Sequence, residues 1–452
     1  MEKFVRIFKI IFLLLYSVSL GQTISVFVDE KPIFDQQIDS IEQVLSDDLI
    51  RRGYFGGKMI LSENNRDRLS YQFVNDSKVI DELSFSPSIP INADILEKMF
   101  SPLYRINQVN SIGSFERRLH SGYSFIPDDS MITFGRVDDT KLGAFIDFVP
   151  EFNSHFSGII GAINNDNGNW SYSGEVEMRL ENSWRTASAT DMIWKRYNEE
   201  SQYIRFAHEE PYPLGLPFGV KIEYDQDFRD GDYVLNKTTG AFSVINKSGK
   251  WYFGGSKEVL APTVKGDSAG IESFHSESFS MTFISDSRND RWLPTGGYFL
   301  EVNTEIGEMN KIGSTFKFNM IIEELLSLTN HFSVQLKLNN SGVWNSDKIE
   351  SVHEGQLIRY GGYNSIRGYE EDILKSDLVS VLNGNILFIP NNSIQLYPFV
   401  DLAYNYGSVE YSRGFGIRQR TNTSVLEISF GWPGDVAFSA GKVHVKFTSL
   451  LD

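Results

Sequence analysis

From about Asn153 onward, apolar and polar residues alternate with a period of two, segment after segment. Tyr172, Val176, Met178 and Leu180 share one face of a strand, while Ser171, Ser173, Glu175, Glu177 and Arg179 share the other. Phe316, Phe318, Met320 and Ile322 oppose Thr315, Lys317 and Asn319; Val334, Leu336 and Leu338 oppose Ser333, Gln335 and Lys337. Near the end, Leu426, Ile428, Phe430 and Trp432 oppose Glu427, Ser429 and Gly431, and Val443, Val445 and Phe447 oppose His444 and Lys446. The stretch divides into about sixteen strands, at roughly 19 residues for each strand and its connection. A soluble sandwich tolerates such a pattern. A lipid-facing barrel requires it, because only helices and closed barrels satisfy every backbone polar group in hydrocarbon. No segment after the N-terminus is apolar for long enough to span as a helix, and no fixed period of about 40 residues marks a propeller. The pattern predicts an all-β transmembrane barrel of about sixteen antiparallel strands.

Composition agrees with that fold and excludes several functions. The mean hydropathy of −0.24 is what two opposite faces average to, and 13% of residues are aromatic. The absence of cysteine removes a disulfide scaffold, a thiolate metal site, a cysteine nucleophile and a lipid anchor on cysteine. A net charge of −17 argues against nucleic acid as a partner, since phosphate binding needs a basic face. The seven histidines, His120, His155, His208, His275, His331, His353 and His444, show no His-Glu-x-x-His spacing. There is no Gly-x-Ser-x-Gly elbow either. No enzyme activity, metal or cofactor is expected.

The N-terminal part reads differently. Lys3, Arg6 and Lys9 precede the mostly apolar run Ile10 to Leu20, and Ser19 and Gly21 are small residues before a cut at Gln22. Residues 1–21 therefore read as a secretory signal peptide. Residues 22–76 and 77–152 read as two small α+β units. In the first, Ser25 to Val28 is a strand; Ile38, Ile41, Leu45 and Leu49 form a helical stripe ended by Gly53; two strands follow Tyr54 and Phe55. In the second, Leu83 and Phe85 lie in a strand. Leu96, Met99, Phe100 and Leu103 form one helical stripe, and Ile112, Phe115 and Leu119 another. Gly122, Tyr123 and Phe125 then precede two strands. The first unit, with one helix, is the shorter version of the theme. Residues 153–452 are the barrel.

Strand parity gives an internal check. Eight strands precede the turn Trp292-Leu293-Pro294-Thr295-Gly296-Gly297, and three more precede a long connection from about Asn339 to Ser376. The tight turn then falls on the periplasmic side and the long connection outside, the asymmetry of outer-membrane barrels. That connection carries Gly361-Gly362-Tyr363-Asn364-Ser365-Ile366-Arg367-Gly368-Tyr369. Downstream, Asp401 occupies the inward face of a strand whose outward residues are Val400, Leu402, Tyr404 and Tyr406. An inward acid and a loop arginine meet if the loop folds into the lumen. Upstream, Asp286-Ser287-Arg288 precedes the Pro-Thr-Gly-Gly turn.

This set resembles the BamA/TamA/FhaC superfamily of outer-membrane proteins, the bacterial surface antigen family. Members carry periplasmic POTRA domains followed by a sixteen-stranded barrel. Their hallmark is an Arg-Gly-Phe or Arg-Gly-Tyr tip on the loop between strands eleven and twelve, matched here by Ile366-Arg367-Gly368-Tyr369. The family's inward acid on strand thirteen, in a Phe-x-Asp-x-Gly pattern, is matched by Asp401, with Ala403 in place of the glycine. Its Asp-x-Arg and Pro-x-Gly turn is matched by Asp286, Arg288, Pro294 and Gly296. The resemblance implies that Arg367 and Asp401 lock the loop, with Gly361, Gly362, Gly368 and Tyr369 shaping it.

It further implies a factor that inserts outer-membrane proteins or exports a secreted protein. Clients would pair with POTRA sheet edges, and a seam between about Asn153–Ile163 and Lys442–Phe447 would open sideways. The implied partners are outer-membrane lipid, an unfolded barrel client or secreted protein, and periplasmic accessory proteins. Export of one dedicated partner is the alternative function; a passive porin does not account for the N-terminal units.

Overall fold

A computed structural model describes residues 24–451 apart from 37, 66–67, 77, 128–130, 139, 165–169, 199, 311–312, 347–351 and 435. The expected signal peptide, residues 1–21, lies outside the described residues. By compactness the chain forms two units. One comprises Met1–Ser86, Met99–Glu116 and Ser130–Asp147; the other comprises Pro87–Lys98, Arg117–Asp129 and Phe148–Asp452.

The first small sheet has the order β2-β1-β4-β3, from β1 (Ile24–Val28), β2 (Lys31–Gln36), β3 (Gly57–Asn65) and β4 (Arg68–Asn75). The helix Ile38–Arg52 packs Ile41 and Leu45 against Val26, Leu69 and Tyr71. Gly53, at φ +66°, ends the helix by donating its N–H to the Leu49 carbonyl at 3.0 Å. Strand β2 is absent from the sequence expectation. Its hairpin turns on Asp29 and Glu30, both at positive φ, in place of the Asn-Gly or Asp-Gly that usually announces such a turn. Asp29 compensates by accepting from the Phe73 N–H at 3.0 Å and from Arg52 at 2.9 Å.

The second sheet, β5-β7-β6, consists of β5 (Glu82–Phe85), β6 (Met131–Arg136) and β7 (Leu142–Asp147), with β5 and β7 parallel. The helices Ala93–Phe100 and Ile112–Gly122 lie between β5 and β6 in the chain. Phe100 joins Phe85 and Phe115, with ring centroids 5.8 and 5.9 Å away.

The remaining strands close into a sixteen-stranded antiparallel barrel. Its first half is β8 (His155–Asn164), β9 (Trp170–Glu181), β10 (Ala189–Asn198), β11 (Ser201–Glu210), β12 (Gly219–Arg229), β13 (Tyr233–Asn246), β14 (Gly249–Pro262) and β15 (Phe274–Asp286). Then come β16 (Gly297–Met309), β17 (Gly313–Thr329) and β18 (Phe332–Asn345). A short hairpin of β19 (Ile358–Tyr360) and β20 (Leu374–Ser376) interrupts. The barrel finishes with β21 (Leu378–Asn391), β22 (Ile394–Asn405), β23 (Ser408–Arg420), β24 (Ser424–Pro433) and β25 (Lys442–Leu450).

The closing ladder between β25 and β8 runs from Leu450–His155 to His444–Gly161, seven residue pairs; β9–β10, β21–β22 and β24–β25 share eight each, and β17–β18 fourteen. Thr448, Ser449 and Leu450 are thus part of the last strand, beyond the expected end at Phe447. Strand β18 likewise extends to Asn345. Its Asn339-Asn340-Ser341-Gly342 stretch reads as loop by composition, but Asn339 and Ser341 belong to the lumenal hydrogen-bond network through Asn319.

The barrel inverts the usual distribution of polarity. Phe279, Ile306, Ile386, Val400 and Phe415 stand exposed on the outside, while Glu258, Glu305, Glu323, Gln335 and Asp401 are buried inside. Many of the interior charges are paired: Lys237 lies 2.6 Å from Glu305, Lys317 2.5 Å from Glu258, Arg205 2.7 Å from Glu223 and Arg418 3.0 Å from Glu427. A cavity of about 550 Å³ remains, lined among others by Arg205, Glu223, Lys237 and Glu305. Among the described residues, no helix is long and apolar enough to cross a membrane.

Candidate functional site

Antiparallel order puts every odd-to-even connection of the barrel at one end and every even-to-odd turn at the other. The connection between β18 and β21, the eleventh and twelfth barrel strands, belongs to the first end, and the turn between β15 and β16 belongs to the second.

After β19 the long connection turns inward on Gly361 (φ +126°) and Gly362 (φ +82°). Its tip ends at Gly368, at φ +92°, where a Cβ would stand 2.8 Å from the backbone nitrogen of Trp432 on β24. Only glycine allows both the left-handed backbone and this approach. Ile366 is fully buried among Tyr360, Val379, Val381 and Ala403. The methyl of Ala403 thereby fills space beside the tip, where the family pattern has glycine. Tyr369 donates its hydroxyl to Glu410 at 3.0 Å.

The tip delivers Arg367 to Asp401 on β22, the thirteenth barrel strand. The Arg367 backbone N–H and Nε both donate to Asp401 Oδ2 at 2.9 Å, and Nη2 donates to Oδ1 at 2.7 Å. Nη2 also donates to Asn385 Oδ1 at 2.8 Å. The guanidinium carbon sits 3.6 Å from the centroid of Phe399. Asp401 is 0% exposed. A fork of donors, a carboxylate and an aromatic platform suit arginine and not lysine. Alternation along β22 explains the arrangement: Gln395, Tyr397, Phe399, Asp401 and Ala403 are all buried inward, while Val400, Leu402 and Tyr404 are exposed outward. Tyr406 lies in the turn beyond β22, not on its face.

The second motif lies at the opposite end. The expected tight turn is a longer excursion covering residues 287–296, between the end of β15 and the start of β16. Asn289 closes it by accepting from the N–H groups of Thr295 at 3.0 Å and Gly296 at 3.1 Å. Arg288 pairs with Asp286 at 2.6 Å and with Glu323 on β17 at 3.5 Å. The Pro294 carbonyl accepts from Gln395 Nε2 on β22 at 3.1 Å. Asp290 reaches Arg420 on β23 at 2.8 Å, and Trp292 meets His155 of β8 edge-on, with centroids 5.1 Å apart. The turn therefore crosses the barrel end from the eighth and ninth strands to the first, thirteenth and fourteenth.

The two motifs do not touch. Asn385, Gln335 and Glu323 stand between them, and sequence reading names none of the three as a site residue. Their one visible signal is a polar residue on the inward face of a period-two strand, which dozens of lumenal residues share. Among the described residues no cluster of metal-ligating side chains occurs.

A model of the Omp85 superfamily domain matches residues 193–447. Among solved structures, CdiB from Acinetobacter baumannii is 12% identical, covering 93% of this chain and 82% of its own with a TM-score of 0.59. CdiB from Escherichia coli is 13% identical, covering 95% and 90%, also at 0.59. BamA from Haemophilus ducreyi lacking POTRA domains 1–3 is 14% identical, covering 91% of each chain at 0.51. At these identities the likeness is one of fold. No curated protein matches the chain by sequence. The family is one of outer-membrane barrels that act in protein insertion or transport. The matched segment exceeds half of the chain and holds both the loop tip and β22, and the chain belongs to the Omp85 superfamily.

Proposed function

We propose that this chain is an outer-membrane factor of Gram-negative type that inserts unfolded barrel clients into the membrane. The observation that carries this reading is the inverted barrel whose lumen holds the Arg367–Asp401 pair, within a family of insertion and transport proteins. An apolar exterior around a charged interior is the distribution of a barrel whose outer solvent is hydrocarbon. Residues 22–76 and 77–152 act as POTRA-like periplasmic domains. Their sheets have free edges at β2 and β3 and at β5 and β6, and a client strand adds to such an edge by backbone pairing. The short ladder between β25 and β8 is the seam that parts and templates the client, and burial of the client's apolar faces in lipid drives release. No bond-making chemistry, cofactor or metal enters. Outer-membrane lipid, the client and periplasmic accessory proteins are the partners.

Export of one dedicated protein is the second reading, supported by the higher fold similarity to the two CdiB structures than to BamA. Depletion of the protein followed by a census of outer-membrane and secreted proteins separates the two. Broad loss of barrel proteins supports insertion; loss of a single secreted protein overturns it in favour of export.

A further inference from the structure

The two motifs at opposite ends of the barrel are joined by one continuous polar chain. Arg367 Nη2 donates to Asn385 Oδ1 at 2.8 Å, Asn385 Nδ2 donates to Gln335 Oε1 at 2.8 Å, and Gln335 Nε2 donates to Glu323 Oε1 at 2.6 Å. The other oxygen of Glu323 faces Arg288 Nη1 at 3.5 Å, and Arg288 holds Asp286. Gln335 and Asn385 are direct cross-strand partners of β18 and β21. Arg367, Asn385, Gln335 and Glu323 are each less than a tenth exposed.

The chain has a direction. A guanidinium only donates and a carboxylate only accepts, so the two ends fix the orientation of both amides between them. Turning either amide over would set donor against donor and acceptor against acceptor. Buried bonds in such a series polarise one another. Arg418 Nη1 also donates to Gln335 Oε1 at 3.4 Å, so losing Arg367 frees Asn385 outright and weakens the hold on Gln335. A second route runs in parallel along β22, where Asp401 holds the loop tip and Gln395 holds Pro294 of the turn, with the buried rings of Tyr397 and Phe399 between them.

We propose that Asn385, Gln335 and Glu323 are positioning residues that couple the two ends of the barrel: with Arg367 locked on Asp401 the 287–296 turn is held across the opening, and release of the loop tip loosens it. A loop displaced at one end then unfastens the floor at the other, whether the protein inserts or exports its client. The coupling is reciprocal, so loosening the turn at Arg288 also frees the loop.

The absence of native cysteine allows a clean test on the full chain in lipid vesicles. Leu293 is buried within the turn, so a thiol introduced by Leu293→Cys reports its opening through the rate of maleimide labelling. In that background Arg367→Ala and Gln335→Met are each expected to raise the rate by roughly fivefold or more, at the low end of coupling between distant sites. Their combination is expected to raise it no further than the larger single effect. Methionine keeps the volume of Gln335 and removes its polarity. A wild-type rate in Gln335→Met variants that migrate as folded barrels means that packing holds the turn, and overturns the proposal. So does a wild-type rate in Arg367→Ala, or a double variant whose effects multiply. Should Gln335→Met not assemble, Glu323→Gln carries the same expectation and the same refutation.

Discussion

Arg367 and Asp401 meet through three hydrogen bonds inside the barrel, and nothing of Asp401 reaches solvent. Removing the guanidinium leaves a buried carboxylate with no cation, which costs about 3 kcal/mol in a dry interior and less beside a wet lumen. Arg367→Ala should therefore leave a barrel in the membrane with impaired function and a protease-sensitive loop. Arg367→Lys should not rescue it, because one ammonium cannot replace the fork that serves Asp401 and Asn385 together. Urea unfolding in bilayers for Arg367→Ala, Asp401→Ala and the double variant gives the pair's own term. The double variant is expected to be less destabilised than the sum of the singles.

Gly368→Ala tests the approach of the loop to β24. A left-handed backbone disfavours alanine by roughly 1–2 kcal/mol, and the added methyl would press on the Trp432 backbone. The expected outcome is a folded barrel in which limited proteolysis cuts between Gly361 and Ile373. An uncut loop in that variant would show that the tip does not need this approach.

The seam is open to a covalent test. Ser157 on β8 and Thr448 on β25 are paired and buried on the inner side. The double variant Ser157→Cys with Thr448→Cys should form a disulfide on oxidation, since facing residues of an antiparallel pair lie within bridging range. If the seam parts during insertion, the oxidised protein is inactive and a reductant restores it. Full activity of the bridged protein would sink the lateral route and favour passage through the lumen.

Stability of the N-terminal unit should depend on pH through Asp48. Burial pushes this carboxyl up, but the hydrogen bonds and charges of Arg51 and Arg52 outweigh it and hold the group below its ordinary value. A depressed pKa in the folded state contributes stability above the unfolded aspartate pKa of about 3.9, and that stability is lost as pH falls through the folded value. Amide exchange in the helix Ile38–Arg52 should therefore accelerate, relative to its intrinsic rate, as pH drops below about 4. In Asp48→Asn that pH dependence should flatten.

Much of this protein is legible along the chain because its barrel obeys a local rule. Alternation in β17, β18, β24 and β25 marks which side chains face in, and counting strands places the long connection between the eleventh and twelfth. The inward parity of Asp401 and the oddity of Arg367 between Ile366 and Gly368 are local as well. The ends of β18 and β25 are less legible, because Asn339 to Ser341 and Thr448 to Leu450 are set by partners on neighbouring strands.

What the sequence by itself determined is the period, the sidedness of each strand and the glycines that let the loop turn inward. What only the tertiary structure decided is who meets whom across the lumen: Phe399 under the guanidinium of Arg367, Asn385 and Gln335 as consecutive links, and Glu323 facing Arg288 from another strand. Those partners are separated by tens of residues and are brought together by strand register and barrel closure. A slip of two residues leaves every side chain on its own face, so the alternation of one strand does not by itself encode which residue of the next it will face.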